Sequence, residues 1–158
     1  MPPELPVTID GPEALHGLVG QTVGPTEWRA VTQADIDAFA DLSGDHQWIH
    51  TDPERAAAES PYGATIAHGN LTLSMIDGFR LELMRIEGVK LGINYGWNRV
   101  RFPAPVIAGA RVRASAELAS LDDLGEGWLQ SVTRFTVEAE GQAKPVCVAD
   151  SVGRILAK

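Results

Sequence analysis

The chain has 158 residues, of which 44% are hydrophobic and 22% charged, and its formal net charge at pH 7 is −8. This length suits one domain that buries a sizeable core without disulfides or metal ions, and the composition is that of a globular protein. The acidic balance argues against nucleic acid or an anionic membrane as the main partner, because both are bound by basic surfaces. The single cysteine, Cys147, excludes a disulfide framework and a thiolate zinc site.

The N-terminal segment MPPELPVTID contains neither a basic residue nor an apolar run, so it does not resemble a secretory signal. No apolar stretch approaches the roughly 20 residues that a membrane-spanning helix needs. We therefore expect a cytoplasmic protein.

Two short helices are predicted on either side of the segment GDHQWIH, residues 44–50. Thr32 is a suitable N-cap for the first helix, with Asp35 in the position of a capping-box acid. Gly44 suits the left-handed residue that follows a helix end. The start of the second helix is predicted from Asp52, which suits its N-cap, and Pro53, which suits its first position. GDHQWIH is therefore predicted to connect two helices, and such connections often carry functional residues.

A longer helix is predicted over residues 66–86. Its apolar residues recur every four positions, and its first half is apolar on nearly every side, which is typical of a helix surrounded by protein. The recurring residues are Leu71, Met75, Phe79 and Leu83.

After Gly88 the periodicity changes to that of a strand with one buried face. The apolar residues of this strand are Val89, Leu91, Ile93, Tyr95 and Trp97. The apolar phase then slips by one residue, which indicates a bulge near 98–99. Three further strands are predicted at 111–121, 128–139 and 146–156, and the short turns between them favour an antiparallel meander.

A helix that is apolar all round, followed by antiparallel strands, packs well if the sheet curls around the helix. This α+β arrangement is the hot-dog fold, and an early strand near residues 26–31 would complete its sheet; an open α+β sandwich is the alternative. The predicted organisation is one domain over residues 1–158. Residues 32–65 form a helical overhang, 66–86 the central helix, and 89–156 the strands.

Three interpretations of GDHQWIH are open. In a purely structural one, Asp45 ends a helix, His46 and His50 are partly buried, and Trp48 fills a gap in the core. A metal site would need three or four ligands, with Asp52 and His68 as possible additions to the two histidines. Against it, the helical spacing of His46 and His50 is interrupted by the helix-ending glycine and the Asp-Pro helix start, and no HExxH motif is present.

The third interpretation is a general acid–base pair. Asp45 and His50 can converge on one small molecule such as water and supply an acceptor and a proton that titrates near neutral pH. Gly69 lies near the predicted start of the long helix, where free backbone N–H groups can stabilise an oxyanion, although a packing role for this glycine is equally compatible with the sequence. Nucleophilic catalysis has no support, because G-x-S-x-G is absent and Cys147 lies in an apolar strand.

The segments LSGDHQWIHTDPERA, TIAHGNLTLSMI and NYGWNRVRFPAPV together resemble the MaoC-like dehydratase family, which includes the (R)-specific enoyl-CoA hydratases. The GDHQWIH form resembles the nodulation-protein-N-like subgroup. The resemblance covers most of the chain from Val31 onward. It implies a hot-dog fold, a homodimer, and hydration of trans-2-enoyl-CoA to (R)-3-hydroxyacyl-CoA without a metal ion or another cofactor.

The resemblance also implies roles for individual residues. The family's catalytic Asp and His match Asp45 and His50, and its oxyanion-donating glycine matches Gly69. The usual Asn-Pro between the catalytic pair is replaced here by Gln47-Trp48, so Gln47 is expected to provide the asparagine's hydrogen bonds, and the shape of the turn and the preferred substrate are open.

Further substrate contacts are predicted near the suspected bulge. Asn98 is a candidate to support the site, and Arg99 and Arg101 are candidates to bind the coenzyme A phosphates, although all three also suit a solvated strand end. Two other functions are compatible with the sequence: a hot-dog acyl-CoA thioesterase, and a non-catalytic subunit that binds acyl-CoA.

Overall fold

The computed structural model describes residues 3–158, so the first two residues of the predicted 1–158 domain lie outside the described part. The elements in chain order are β1 (Val7–Ile9), β2 (Thr22–Val23), β3 (Arg29–Ala30), α1 (Gln33–Ser43), α2 (Trp48–Thr51), α3 (Pro53–Glu59), α4 (Gly69–Leu83), β4 (Met84–Ile86), β5 (Val89–Arg101), β6 (Arg111–Gly125), β7 (Trp128–Ala139) and β8 (Cys147–Ala157). Between residues 3 and 158, no helix is both long enough and apolar enough to cross a membrane.

The main sheet is antiparallel and has the strand order β2-β6-β7-β8-β5, with β3 also paired to β6. Strands β6, β7 and β8 form the predicted meander. The early strand expected near 26–31 is the two-residue β3, and β1 pairs separately with β4. The core lies between α4 and the inner face of this sheet, where Ile76 and Phe79 pack with Phe135 and Val137. The chain has the hot-dog fold.

The central helix is shorter than the predicted 66–86. Ile66 forms a bridge with Ile107, and the Ala67 N–H donates to the Val106 carbonyl, so these residues are extended rather than helical. At the other end, Met84–Ile86 pairs with β1. Apolar periodicity could not reveal either boundary, because both are set by backbone pairing with distant segments.

The helix ends on either side of GDHQWIH have the predicted capping residues. Thr32 and Asp35 form a reciprocal capping box at the start of α1, and Gly44 adopts φ 82° after its end. The Asp52 side chain accepts from the Arg55 N–H at the start of α3. The connection between them is not entirely a loop, since Trp48–Thr51 forms the short helix α2.

Strand β5 differs from the expectation of one buried apolar face. Leu91, Ile93 and Tyr95 are 47%, 42% and 60% exposed, because β5 is the last strand of the sheet and, among residues 3–158, one of its edges has no neighbour. The predicted bulge is present, since the pairing with β8 skips Asn98 between Trp97 and Arg99.

Candidate active site

Asp45 lies in the tight turn that follows α1. Its backbone N–H donates to the Ser43 Oγ at 3.3 Å, and its Oδ1 accepts from the Gln47 N–H at 3.2 Å. The carboxylate is thereby held by local backbone geometry, while the residue as a whole stays exposed. An acidic side chain with free lone pairs and access to solvent can bind water or a ligand hydroxyl.

His50 is buried in α2 with 6% of its surface exposed. Its Nδ1 lies 2.6 Å from the Ile66 carbonyl oxygen, which can only accept, so Nδ1 carries the proton in this contact. In the neutral ring Nε2 is then a free acceptor. A backbone contact that fixes the tautomer in this way prepares a histidine to take a proton.

His68 lies beside this pair and has only 3% of its surface exposed. Its Nε2–H donates to the Asp45 carbonyl oxygen at 2.9 Å, and its ring stacks on His50 with a centroid distance of 3.9 Å and an interplanar angle of 25°. Phe39 covers the ring from another side at 5.0 Å. His68 Nδ1 is buried and has no hydrogen-bond partner within the described residues.

From its sequence context alone, His68 is predicted only as a possible metal ligand. The signal that pointed to more was its position in TIAHGN, directly before the predicted oxyanion glycine. What the sequence could not reveal is the stacking on His50, because the two histidines are brought together by the tertiary fold.

One ligand atom from each of Asp45, His50 and His68 lies within 4.8 Å of the others. Two groups at this separation are close enough for a single water molecule to bridge them. The same residue types also bind zinc, so the cluster has the donor set of a three-ligand metal site. Its chemistry is thus either acid–base or metal-assisted, and a chelator separates the two.

Gly69 is the first residue of α4, so its N–H is one of the first-turn amides that have no acceptor within the helix. The ring of Phe102 lies directly against it: a Cβ added at Gly69 would come within 2.8 Å of this ring. Phe102 is 43% exposed and was not singled out from the sequence. The glycine therefore allows close approach to the helix start, and Phe102 currently occupies that approach.

The remaining predicted site residues are less closely connected to the cluster. Gln47 contacts Asp45 through its backbone N–H, not through the side-chain amide expected to replace the usual asparagine. Asn98 is the exposed extra residue of the β5 bulge. Arg99 and Arg101 are exposed on the same strand, which leads to Phe102 and hence to Gly69.

His46 and Trp48, both in GDHQWIH, lie outside the cluster. His46 is exposed, and its Nε2 lies 3.7 Å from the Asp41 carboxylate. Trp48 is only partly buried and stacks under the Arg55 guanidinium at 4.3 Å, so it is not a core plug. Cys147, by contrast, is a fully buried core residue, and burial raises the pKa of its thiol to about 11. A buried neutral thiol is not a nucleophile.

Comparison with known proteins connects this geometry to a family. The profile of the MaoC like domain matches residues 15–140. The 3-hydroxyacyl-thioester dehydratase Z of Mycobacterium tuberculosis is 50% identical over 95% of this chain and 99% of its own length. Nodulation protein N of Rhizobium leguminosarum is 45% identical over 84% of this chain and 83% of its own length.

The fold is also found in solved structures of other proteins. A monoamine oxidase regulatory protein from Archaeoglobus is 28% identical with a TM-score of 0.78, covering 98% of this chain and 99% of the other. The R-hydratase PhaJ1 of Pseudomonas aeruginosa is 26% identical with a TM-score of 0.65, covering 88% and 81%. The profile match and the identity to the mycobacterial dehydratase, with its nearly complete coverage, show that the chain belongs to the MaoC-like dehydratase family, a family of hydro-lyases.

Proposed function

We propose that the protein is an (R)-specific enoyl-CoA hydratase that adds water to trans-2-enoyl-CoA to give (R)-3-hydroxyacyl-CoA. The observation that carries the proposal is the convergence of Asp45 and His50 on one small volume, with free acceptors on both side chains. The family membership supports the reaction class. A cytoplasmic location forms part of the same proposal.

In this mechanism the thioester carbonyl accepts a hydrogen bond from the Gly69 N–H at the positive end of α4. Withdrawal of electron density toward that oxygen makes C3 electrophilic. A water molecule donates one hydrogen bond to the Asp45 carboxylate and one to His50 Nε2, and its oxygen bonds to C3 as one of these groups takes its proton. The electrons of the C2–C3 double bond return to C2, which receives a proton from the cluster. No redox partner or metal ion is required.

Substrate access requires Phe102 to move, because its ring lies over Gly69. This ring is partly exposed, so it can rotate without opening the core. Arg99 and Arg101 are proposed to meet the coenzyme A phosphates, since they lie on the strand that ends beside this entrance. Asn98, at the bulge on the same strand, is proposed to support the bound substrate.

The test is the loss of enoyl absorbance with trans-2-enoyl-CoA substrates of 4 to 12 carbons, followed by chiral analysis of the product. The proposal expects turnover, an (R)-product, and unchanged rates after treatment with EDTA. Release of free thiol from acyl-CoA would instead identify a thioesterase. Binding of crotonyl-CoA without turnover would identify a non-catalytic subunit. Loss of activity with EDTA would show that the Asp45, His50 and His68 cluster acts through a metal ion.

We also propose that the protein is a homodimer paired through β5. Leu91, Ile93 and Tyr95 form an exposed apolar strip on this edge strand. Long exposed edges with apolar side chains favour pairing with another strand. A second copy related by a two-fold axis would continue the sheet and bury the strip on both chains.

A further inference from the structure

A cavity of about 700 Å³ lies between the C-terminal half of α4 and strands β5, β7 and β8. Asp45, His50 and Gly69 do not line it. Arg80, which does, follows Gly69 by eleven positions on α4, or roughly 16 Å along the helix at about 1.5 Å per residue. The walls of the cavity are mainly apolar, with Leu15, Leu81, Met84, Ile86, Val89 and Ile155 among its lining residues.

Arg80 places a largely buried guanidinium in this apolar space. One of its N–H groups donates to the Ser151 Oγ at 2.8 Å, and its guanidinium lies 4.9 Å from the Phe135 ring centroid. A guanidinium has five N–H donors, and no further hydrogen bond or ion pair of Arg80 is formed within residues 3–158. Burial lowers the pKa of Arg80, and the nearby Asp77 offsets this only in part.

The cavity is positively charged within an acidic protein. Arg80, Arg85 and Arg154 line it, against the single carboxylate of Asp77, whereas the whole chain has a formal net charge of −8. Arg85 is already paired with Glu87 at 2.8 Å and is exposed.

Arg154, like Arg80, has no ion-pair partner among the described residues, but its guanidinium donates to the Gln130 side chain and lies 3.7 Å from the Tyr95 ring centroid. Arg80 is the arginine whose burial is deep enough to lower its pKa, and it has no ion pair within residues 3–158, an arrangement that costs free energy unless an anion binds.

Buried hydroxyl groups lie on the same side of the cavity. Ser131, Thr133 and Ser151 project from the inner face of β7 and β8 and are 5%, 3% and 1% exposed. Ser131 and Thr133 line the cavity with Arg80, and Ser151 accepts its hydrogen bond. Apolar walls above a floor of hydroxyl donors and one guanidinium fit a ligand with an aliphatic body and a small planar anion at one end.

We propose that this cavity binds the carboxylate end of an aliphatic chain and that Arg80 is the group that recognises the carboxylate. The guanidinium fork matches the two oxygens of a carboxylate, and the pair is strengthened because the Arg80 guanidinium is largely buried. The apolar lining contacts the chain. Binding does not depend on the proposed hydration, so the two proposals fail or succeed separately.

Isothermal titration of the full-length protein with decanoate and with 1-decanol tests the proposal, because these two probes differ only at the polar end. Wild type is expected to bind decanoate roughly 10- to 100-fold more tightly than 1-decanol. Arg80→Met keeps an unbranched apolar side chain and removes the charge, so it should abolish this preference. Arg85→Met is the matched control and should retain it.

Thermal unfolding distinguishes recognition from a structural role for Arg80. If the buried charge serves a ligand, Arg80→Met should unfold without ligand at or above the wild-type temperature, because a desolvated cation has been removed. The proposal is overturned if wild type binds both probes equally or neither of them. It is also overturned if Arg80→Met keeps the preference for decanoate.

The carboxylate can belong to a free fatty acid or to the far end of an acyl thioester, and kinetics separates these sources. This arm rests on the proposed hydratase activity. If substrate chains enter the cavity, decanoate should inhibit competitively, and Arg80→Met should raise KM only for enoyl-CoA with a terminal carboxyl group. A free fatty acid site instead predicts inhibition that is not competitive, with equal KM values in the two proteins. Either pattern requires that Arg80→Met weakens inhibition by decanoate; unchanged inhibition contradicts the proposal.

Discussion

His68 links the two residues proposed to hold the reacting water. It binds the backbone of Asp45 through Nε2–H and stacks on the ring of His50, so it fixes both the turn and the imidazole plane. A buried histidine with these two contacts positions the pair through the protein itself rather than through substrate. His68 is important in this account because a small displacement of a catalytic group strongly lowers the reaction rate.

Replacing His68 by Phe should separate these contacts. The variant keeps a stacking ring but loses the N–H donor to Asp45, so the turn that carries the carboxylate should loosen. We expect kcat for hydration to fall roughly 10- to 100-fold, with a smaller change in KM. His68→Gln retains a donor and should recover part of the loss. Unchanged kcat in a folded His68→Phe protein would remove His68 from the site.

The sequence predicted candidate residues for this site but not their contacts. Asp45 and His50 were predicted from the composition of GDHQWIH and its family resemblance, and Gly69 from the start of the long helix. The stacking of His68 on His50, the cover of Phe102 over Gly69, and the burial of Arg80 depend on segments that are distant in the chain. In the sequence Arg80 has the character of a surface residue, because its neighbours in the chain give no sign that the sheet covers it.

At the scale of elements, the start of α4 and the end of β5 meet at the entrance to the proposed site. Gly69 supplies the amide, and Phe102 covers it. A side chain at position 69 would therefore collide with Phe102 whether or not the amide is catalytic. Substitution of Gly69 alone cannot separate crowding of the substrate from displacement of the ring.

Substituting Gly69 in two backgrounds, with and without the Phe102 ring, separates crowding of the substrate from displacement of that ring. Gly69→Ala should lower kcat/KM at least roughly tenfold, toward the 10²–10³-fold loss typical of one oxyanion donor. In a Phe102→Ala background the collision is removed, but the added methyl still blocks the thioester from the amide. We therefore expect the same loss in both backgrounds. Recovery of activity in the double variant would assign Gly69 to packing.

The ends of α1 and α3 were more predictable than those of α4 or the exposure of β5. They depend on caps within a few residues, as at Thr32, Gly44 and Asp52. The alternation in β5 correctly indicated a strand, but not its exposure, because exposure depends on which strands lie beside it. The exposed apolar strip on β5 is the observation on which the proposed dimer rests.

At the scale of the whole molecule, pairing through β5 makes a prediction about assembly. Leu91→Lys places a charge on the exposed strip, and in a two-fold dimer the two new lysines would lie near the same interface. We expect the dimer dissociation constant to rise roughly 100-fold or more, as measured by light scattering over a range of concentrations. Leu124→Lys, at a position of equal 47% exposure on β6, is the control and should leave assembly unchanged.

A wild-type monomer at micromolar concentration would contradict the dimer. Equal effects of the two lysine substitutions would contradict β5 as the interface.

The central claim is that Asp45 and His50 act together on one water molecule, and a double-mutant cycle of hydration rates tests it most directly. Asp45→Asn keeps the shape of the side chain but removes its charge, and His50→Gln removes the imidazole ring. Each should lower kcat/KM for trans-2-enoyl-CoA by roughly 10²–10⁴-fold, and the double variant should be little worse than either single one. His46→Gln, outside the cluster, should have a mild effect. Losses that multiply in the double variant, or a His46→Gln variant as impaired as His50→Gln while both stay folded, would contradict the claim.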